Sequence, residues 1–161
     1  MHQKLHTLQV ARIGELLKAR GETLAVAESS TGGLIAATLL SVAGASAYFL
    51  GGSVVYTLVS RRELLEITAA DVEGLQPLSE PMVLRFARRA REQLGATWGV
   101  AELGAAGPAG ARYGHPAGTC VLAVDGPESL TMTVETGSSD REANMWQFSR
   151  NALTLLEQAL T

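Results

Sequence analysis

The sequence predicts an α/β fold: a single three-layer α/β/α domain with a mixed, mostly parallel sheet, covering residues 1–161. Three observations predict it. Apolar runs of strand length alternate with stretches whose apolar residues recur every three or four positions. Turn glycines and helix-capping residues fall between them. The last two apolar runs flank Asp125-Gly126-Pro127, a hairpin signal that adds antiparallel pairing to parallel crossovers. With 161 residues, 47% of them apolar and 18% charged, the chain is long enough to bury one core without disulfides or metals.

Val10, Ile13, Leu16 and Leu17 recur at helical spacing before Gly21, so the first twenty residues read as an amphipathic helix. Leu24 to Ala27 reads as a strand, and Gly32-Gly33 opens a second helix running to about Leu40. After Gly44 the run Tyr48 to Tyr56 reads as another strand, giving a βαβ unit. Ser60 and Glu63 have capping-box spacing for a short helix. Ser79 and Pro81 begin a longer helix that turns Val83, Phe86, Ala90 and Leu94 inward and leaves Arg85, Arg88, Arg89 and Arg91 on a solvated face. Thr97 to Leu103, Thr119 to Val124 and Leu130 to Glu135 read as strands. Ser139 and Glu142 form a second capping-box pair ahead of a closing helix carrying Met145, Phe148, Ala152, Leu155 and Ala159.

Composition narrows the function classes. The net charge is −3, and although eleven of thirteen cations are arginines, they form no basic stripe with interleaved aromatics, so no nucleic-acid partner is expected. Polar residues interrupt every apolar stretch, and the start carries no secretory pattern, so neither a membrane partner nor export is expected and the cytoplasm is the default. The single Cys120 lies in a strand pattern and reads as a small buried hydrophobe. No cluster of His, Cys, Asp and Glu has ligand spacing, so neither metal nor cofactor is expected.

The corner Ala27-Glu28-Ser29-Ser30-Thr31-Gly32-Gly33 carries the chemistry. A strand ending there and turning into a helix places hydroxyls beside free backbone N–H groups at the positive end of a helix dipole. Such a corner suits an anion, and a serine in it either hydrogen-bonds a phosphate or attacks a carbonyl carbon whose oxyanion the amides stabilise. The glycine-rich loop Gly104-Ala105-Ala106-Gly107-Pro108-Ala109-Gly110 also follows a strand, and ligands of open α/β sheets sit at the carboxyl ends of strands. Candidate bases are few: Lys4 and Lys18 fall in the first helix, and His115 is the only histidine outside the N-terminal segment.

The chain resembles the C-terminal domain of the CinA family over nearly its whole length. The residues carrying the resemblance are the corner at 27–33, Gly44-Ala45-Ser46-Ala47, Val54-Val55-Tyr56, Ser79-Glu80-Pro81, Ala106-Gly107-Pro108, Pro116-Ala117-Gly118-Thr119 and Asp140-Arg141-Glu142. The family corner usually reads Ala-Glu-Ser-Cys-Thr-Gly-Gly, and here only the cysteine is replaced, by Ser30. The family includes nicotinamide mononucleotide deamidases of NAD recycling, which release ammonia with a serine, a lysine base and a tyrosine. The resemblance therefore implies Ser29 as nucleophile, Tyr56 as the tyrosine and Arg61 at the lysine position. It also implies a pyridine-nucleotide ligand held by Glu28, Ser30, Thr31, Gly32, Gly33, Gly104, Ala106, Gly107 and His115, and a homo-oligomer. The separate N-terminal domain of the family's larger proteins has no counterpart in these residues. Arginine keeps its proton to above pH ~12 and cannot act as the lysine does. The second loop differs too: where the family has a serine the chain has Leu103, and His115 falls at a frequent lysine. Two readings follow, an amidohydrolase in which His115 or Tyr56 assists Ser29, and a catalytically silent relative that binds a nucleotide or other small anion.

Overall fold

The computed structural model describes residues 3–161. Strands β1 (Leu24–Glu28), β2 (Phe49–Val54), β3 (Trp98–Ala105), β4 (Thr119–Asp125) and β5 (Ser129–Glu135) form one sheet in the order β2-β1-β3-β4-β5. Strand β1 is parallel to β2 and to β3, while β4 is antiparallel to β3 and β5. Only β4 therefore runs against the common direction. Helices α1 (Leu8–Arg20), α2 (Leu34–Leu40) and α5 (Arg141–Leu160) cover one face, and α3 (Leu58–Leu65) and α4 (Glu80–Leu94) the other.

The strand alternation produces two cores. Leu24, Val26, Cys120, Leu122 and Val124 point toward α1, α2 and α5. Ala25, Ala27, Val121 and Ala123 point the other way, where Val83, Phe86 and Ala90 of α4 supply the bulk against the small sheet residues. Every residue of β1 and β4 is buried, which explains their continuous apolar runs. The chain leaves β1 for β2 with α2 on one face and reaches β3 with α3 and α4 on the other. The two crossovers diverge between β1 and β3, the kind of position at which open α/β sheets bind ligands.

Several local expectations shift. Thr7 caps α1 at Val10 N, so the helix begins at Leu8 and Lys4 lies ahead of it; the first two positions of the expected helix lie outside the described residues. At α3 the cap is Thr57, and Ser60 is the third helical residue that reciprocates, because the earlier hydroxyl captures Ser60 N first. Asp140, one residue after Ser139, caps α5 through a 3.1 Å bond from Ala143 N. Leu94 is 47% exposed at the last position of α4 and lies over Gly51. The arginine face is less solvated than expected: Arg88 and Arg91 converge on the buried Asp125, and Arg89 bonds the carbonyl of Glu66 and pairs with Asp71. Asp125 ends β4 on that side of the sheet, so the arginines fasten α4 to it.

No helix among the described residues is long and apolar enough to cross a membrane. Cys120 is fully buried facing α5, and burial together with the field of Glu102 pushes its thiol far above the usual range. A thiol reagent is expected to leave it unmodified in the folded protein and to label it stoichiometrically in denaturant. Rapid native labelling, followed by mass, would contradict its place in the core.

Candidate functional site

Two buried carboxylates lie on the neighbouring strands β1 and β3. Strand β1 finishes at Glu28, and its neighbour β3 carries Glu102; they are 1% and 0% exposed, respectively. Glu28 Oε1 accepts from Thr31 Oγ1 at 2.7 Å, Ile35 N at 2.9 Å and Gly33 N at 3.2 Å, and Oε2 accepts from Ala36 N at 2.9 Å. It thereby takes the place of a side-chain cap on α2, whose cap residue Gly33 has no side chain to offer. The candidate anion corner is thus already filled by an internal carboxylate.

Glu102 holds the preceding turn. Its Oε1 accepts from Ser29 N at 2.9 Å, Thr31 N at 3.0 Å and Thr31 Oγ1 at 2.9 Å, and Oε2 accepts from Ser30 Oγ. Gly32 and Gly33 take positive φ angles of 62° and 107°, which turn the chain sharply into α2. Gly104 is required for close approach, since a Cβ there falls 2.7 Å from Ser30 Oγ and 2.9 Å from Glu102 Oε2. The Ser29 side chain is left out of this network: its hydroxyl makes no hydrogen bond among the described residues.

Burial raises the pKa of Glu28 above its ordinary 4.5, an effect opposed by the bonds from Thr31, Ala36 and Ile35 and reinforced by the charge of Glu102. A carboxyl that holds its proton more tightly folded than unfolded makes stability fall as pH rises from 4.5 through the folded pKa. Denaturant melts across that window are therefore expected to show a loss of stability in wild type that Glu28→Gln lacks. Parallel profiles for the two proteins would rule this out.

The second loop is fastened from α5. Buried Asn144 donates from Nδ2 to Ala106 O at 2.8 Å and to Ser138 O at 2.9 Å, and accepts from Thr136 Oγ1 at 2.7 Å. Arg141 donates to Gly107 O at 2.6 Å and to Tyr56 Oη at 3.2 Å, tying the loop to the segment after β2. Glu28, Ser29, Ser30, Thr31, Gly32, Gly33 and Gly104 thus gather around Glu102, with Ala106, Gly107 and Tyr56 gathered around α5.

Arg61 and His115 join neither group by a hydrogen bond among the described residues. Arg61 Nε donates to Val55 O at 3.2 Å, and its guanidinium carbon lies 5.2 Å from the Phe86 ring centroid. Burial lowers its pKa, an effect opposed by the charges of Tyr113 and Glu102. His115 follows Tyr113, whose ring it meets edge-on at 6.5 Å, and its buried Nδ1 has no partner among the described residues.

Sequence reasoning missed Glu102, Arg141 and Asn144 as site-forming residues. Each leaves a trace: Glu102 is the only charge in an otherwise apolar strand, Asn144 lies one turn before Phe148 on the buried side of α5, and Arg141 sits inside the Asp140-Arg141-Glu142 motif.

The family model of the CinA C-terminal domain matches residues 6–160. The chain belongs to the CinA family. It is 41% identical over 157 residues to the CinA-like protein of Anaeromyxobacter dehalogenans, covering 98% of this chain and 38% of that protein. It is 40% identical over 134 residues to the CinA-like protein of Acaryochloris marina, covering 83% of this chain and 32% of that protein. The chain spans about a third of the length of these curated relatives. The crystal structure of a competence-damaged protein (CinA) superfamily protein from Klebsiella pneumoniae superposes with a TM-score of 0.89 at 31% identity, covering 98% of both chains. The competence/damage inducible protein CihA of Agrobacterium tumefaciens gives a TM-score of 0.81 at 28% identity, covering 98% of this chain and 99% of that one. In this CinA domain Ser30 donates its hydroxyl to Glu102.

Proposed function

We propose that this CinA domain binds a pyridine mononucleotide at the carboxyl ends of β1 and β3 and lacks the serine–lysine hydrolysis that its family resemblance implies. The observation that carries this reading is the state of the basic residue. Arg61 stands where the family pattern has lysine, its Nε is committed to Val55 O, and its guanidinium lies over Phe86. A guanidinium remains protonated and takes no proton from a serine hydroxyl. The nearby carboxylates do not substitute, because Glu28 accepts from three backbone amides, Glu102 accepts from two amides and the Ser30 hydroxyl, and the two share the hydroxyl of Thr31. The pocket keeps a shaped turn, a free hydroxyl on Ser29 and a pinned second loop, which suit recognition.

One observation favours hydrolysis as the second reading: His115 Nδ1 is buried without a partner and is an imidazole, the group best suited to proton transfer near neutral pH. In that reading Ser29 attacks the carboxamide carbon, ammonia leaves, and water releases the acid. Calorimetric titration with nicotinamide and nicotinic acid mononucleotides, run beside an ammonia assay, separates the two. Saturable heat without ammonia is the expected result. Ammonia above a Ser29→Ala control replaces the first reading by the second, and no heat with either nucleotide rejects the first.

A further inference from the structure

Arg61 is a half-buried cation with no carboxylate partner among the described residues. Arg12, Arg20, Arg62, Arg88, Arg89 and Arg91 all pair with an acid, whereas Arg61 forms no ion pair among the described residues. Its one hydrogen bond there, from Nε to Val55 O, fixes the plane of the guanidinium and leaves Nη1 and Nη2 unengaged. The side chain lines a cleft of about 540 Å³ between α3, α4 and the segment joining them. The other walls are mostly apolar, chiefly Ile67, Val72, Leu75, Met82 and Phe86, with Arg62, paired to Glu63, and Thr68 among them.

We propose that Arg61 makes this cleft a site for an aromatic monocarboxylate, so that the domain selects the acid form of its ligand over the carboxamide. The inference rests on the nucleotide reading only for the rest of the ligand; its own carriers are the unpaired guanidinium and the apolar walls. A planar fork of two unengaged nitrogens meets a carboxylate through two charge-assisted bonds, whereas a neutral carboxamide offers one acceptor oxygen and an NH₂ that opposes the donors. Burial sharpens this contrast, because a cation removed from water recovers little from a neutral partner and much from an anion. Apolar walls accommodate the ring, and Phe86 beneath the guanidinium holds the fork in place. Lysine at this position presents a point charge without the fork, so the change to arginine alters selectivity as well as basicity.

The test compares two matched pairs on the full chain: nicotinate with nicotinamide, and nicotinic acid mononucleotide with nicotinamide mononucleotide. Calorimetry is expected to show the acid binding about tenfold or more tightly than its amide in each pair that binds. Arg61→Gln is expected to abolish the difference, and Arg61→Lys, which lacks the planar fork, to reduce it; a cooperative melt for each variant establishes folding. Equal or tighter binding of the amide overturns the proposal, as does an acid preference that survives in Arg61→Gln or the failure of both acids to bind. If nicotinate binds and neither nucleotide does, the nucleotide reading fails while the selectivity of the cleft stands.

Discussion

Replacing Glu102 by leucine is expected to lower the melting temperature by about 10 °C, on a scale of about 2–4 °C per kcal/mol for a domain of this size. The carboxylate is fully buried and receives the amides of Ser29 and Thr31 together with the hydroxyls of Ser30 and Thr31. Leucine fills most of the same volume and accepts nothing. A buried donor left unpaired costs about 1–3 kcal/mol, so the two amides alone account for about 2–6 kcal/mol. The hydroxyls have rotational freedom to find other acceptors, which the amides lack. Glu102→Gln retains one carbonyl oxygen but turns an NH₂ toward donors, so its melting temperature is expected between those of wild type and Glu102→Leu. Scanning calorimetry checks both variants. Melting of Glu102→Leu within ~2 °C of wild type, less than about 1 kcal/mol, would mean that the corner does not depend on this acceptor.

Arg61→Lys is expected to raise ammonia release from nicotinamide mononucleotide by about 10²-fold over wild type, the lower end of what a positioned general base contributes. The site that lowers the pKa of Arg61 does so first by burial, and the same burial acts on a lysine whose ordinary value is about 10.4. Burial that disfavours the charged form helps a lysine give up its proton and then accept one from serine, which arginine does not. The rate is expected to rise with pH as this lysine deprotonates, and the double variant Ser29→Ala with Arg61→Lys is expected to be inactive. A coupled ammonia assay reads all three proteins. Absence of turnover in Arg61→Lys, with nucleotide binding retained, would show that more than the base separates this domain from a hydrolase; Leu103, packed in the core beside α4 where the family resemblance implies a serine, is then the next residue to change.

The order of strands and helices was legible because each buried strand is a short apolar run and each helix carries a stripe at its own spacing. The least legible positions were helix starts. Ser60 and Ser139 have the right chemistry at the right spacing, yet Thr57 and Asp140 cap, since the path of the incoming chain decides where the first free amides of a helix lie. The arginines of α4 looked solvated because the pattern of one helix says nothing of the end of β4, where Asp125 waits for two of them.

The corner at residues 27–33 follows the same division. Local sequence alone determined that a strand would break there into a helix through two glycines, with hydroxyls alongside, and short-range steric rules suffice for that. Which acceptor those hydroxyls and amides meet was decided by the tertiary structure. Pairing β1 with β3 brings Glu102, more than seventy positions later in the chain, against Ser29, Ser30 and Thr31. Packing of α3 on α4 likewise places Arg61 over Phe86 without an acid beside it. Hydrogen-bond partners and the loss of water depend on distances between segments remote in sequence, and periodicity carries no information about those distances until the sheet order exists.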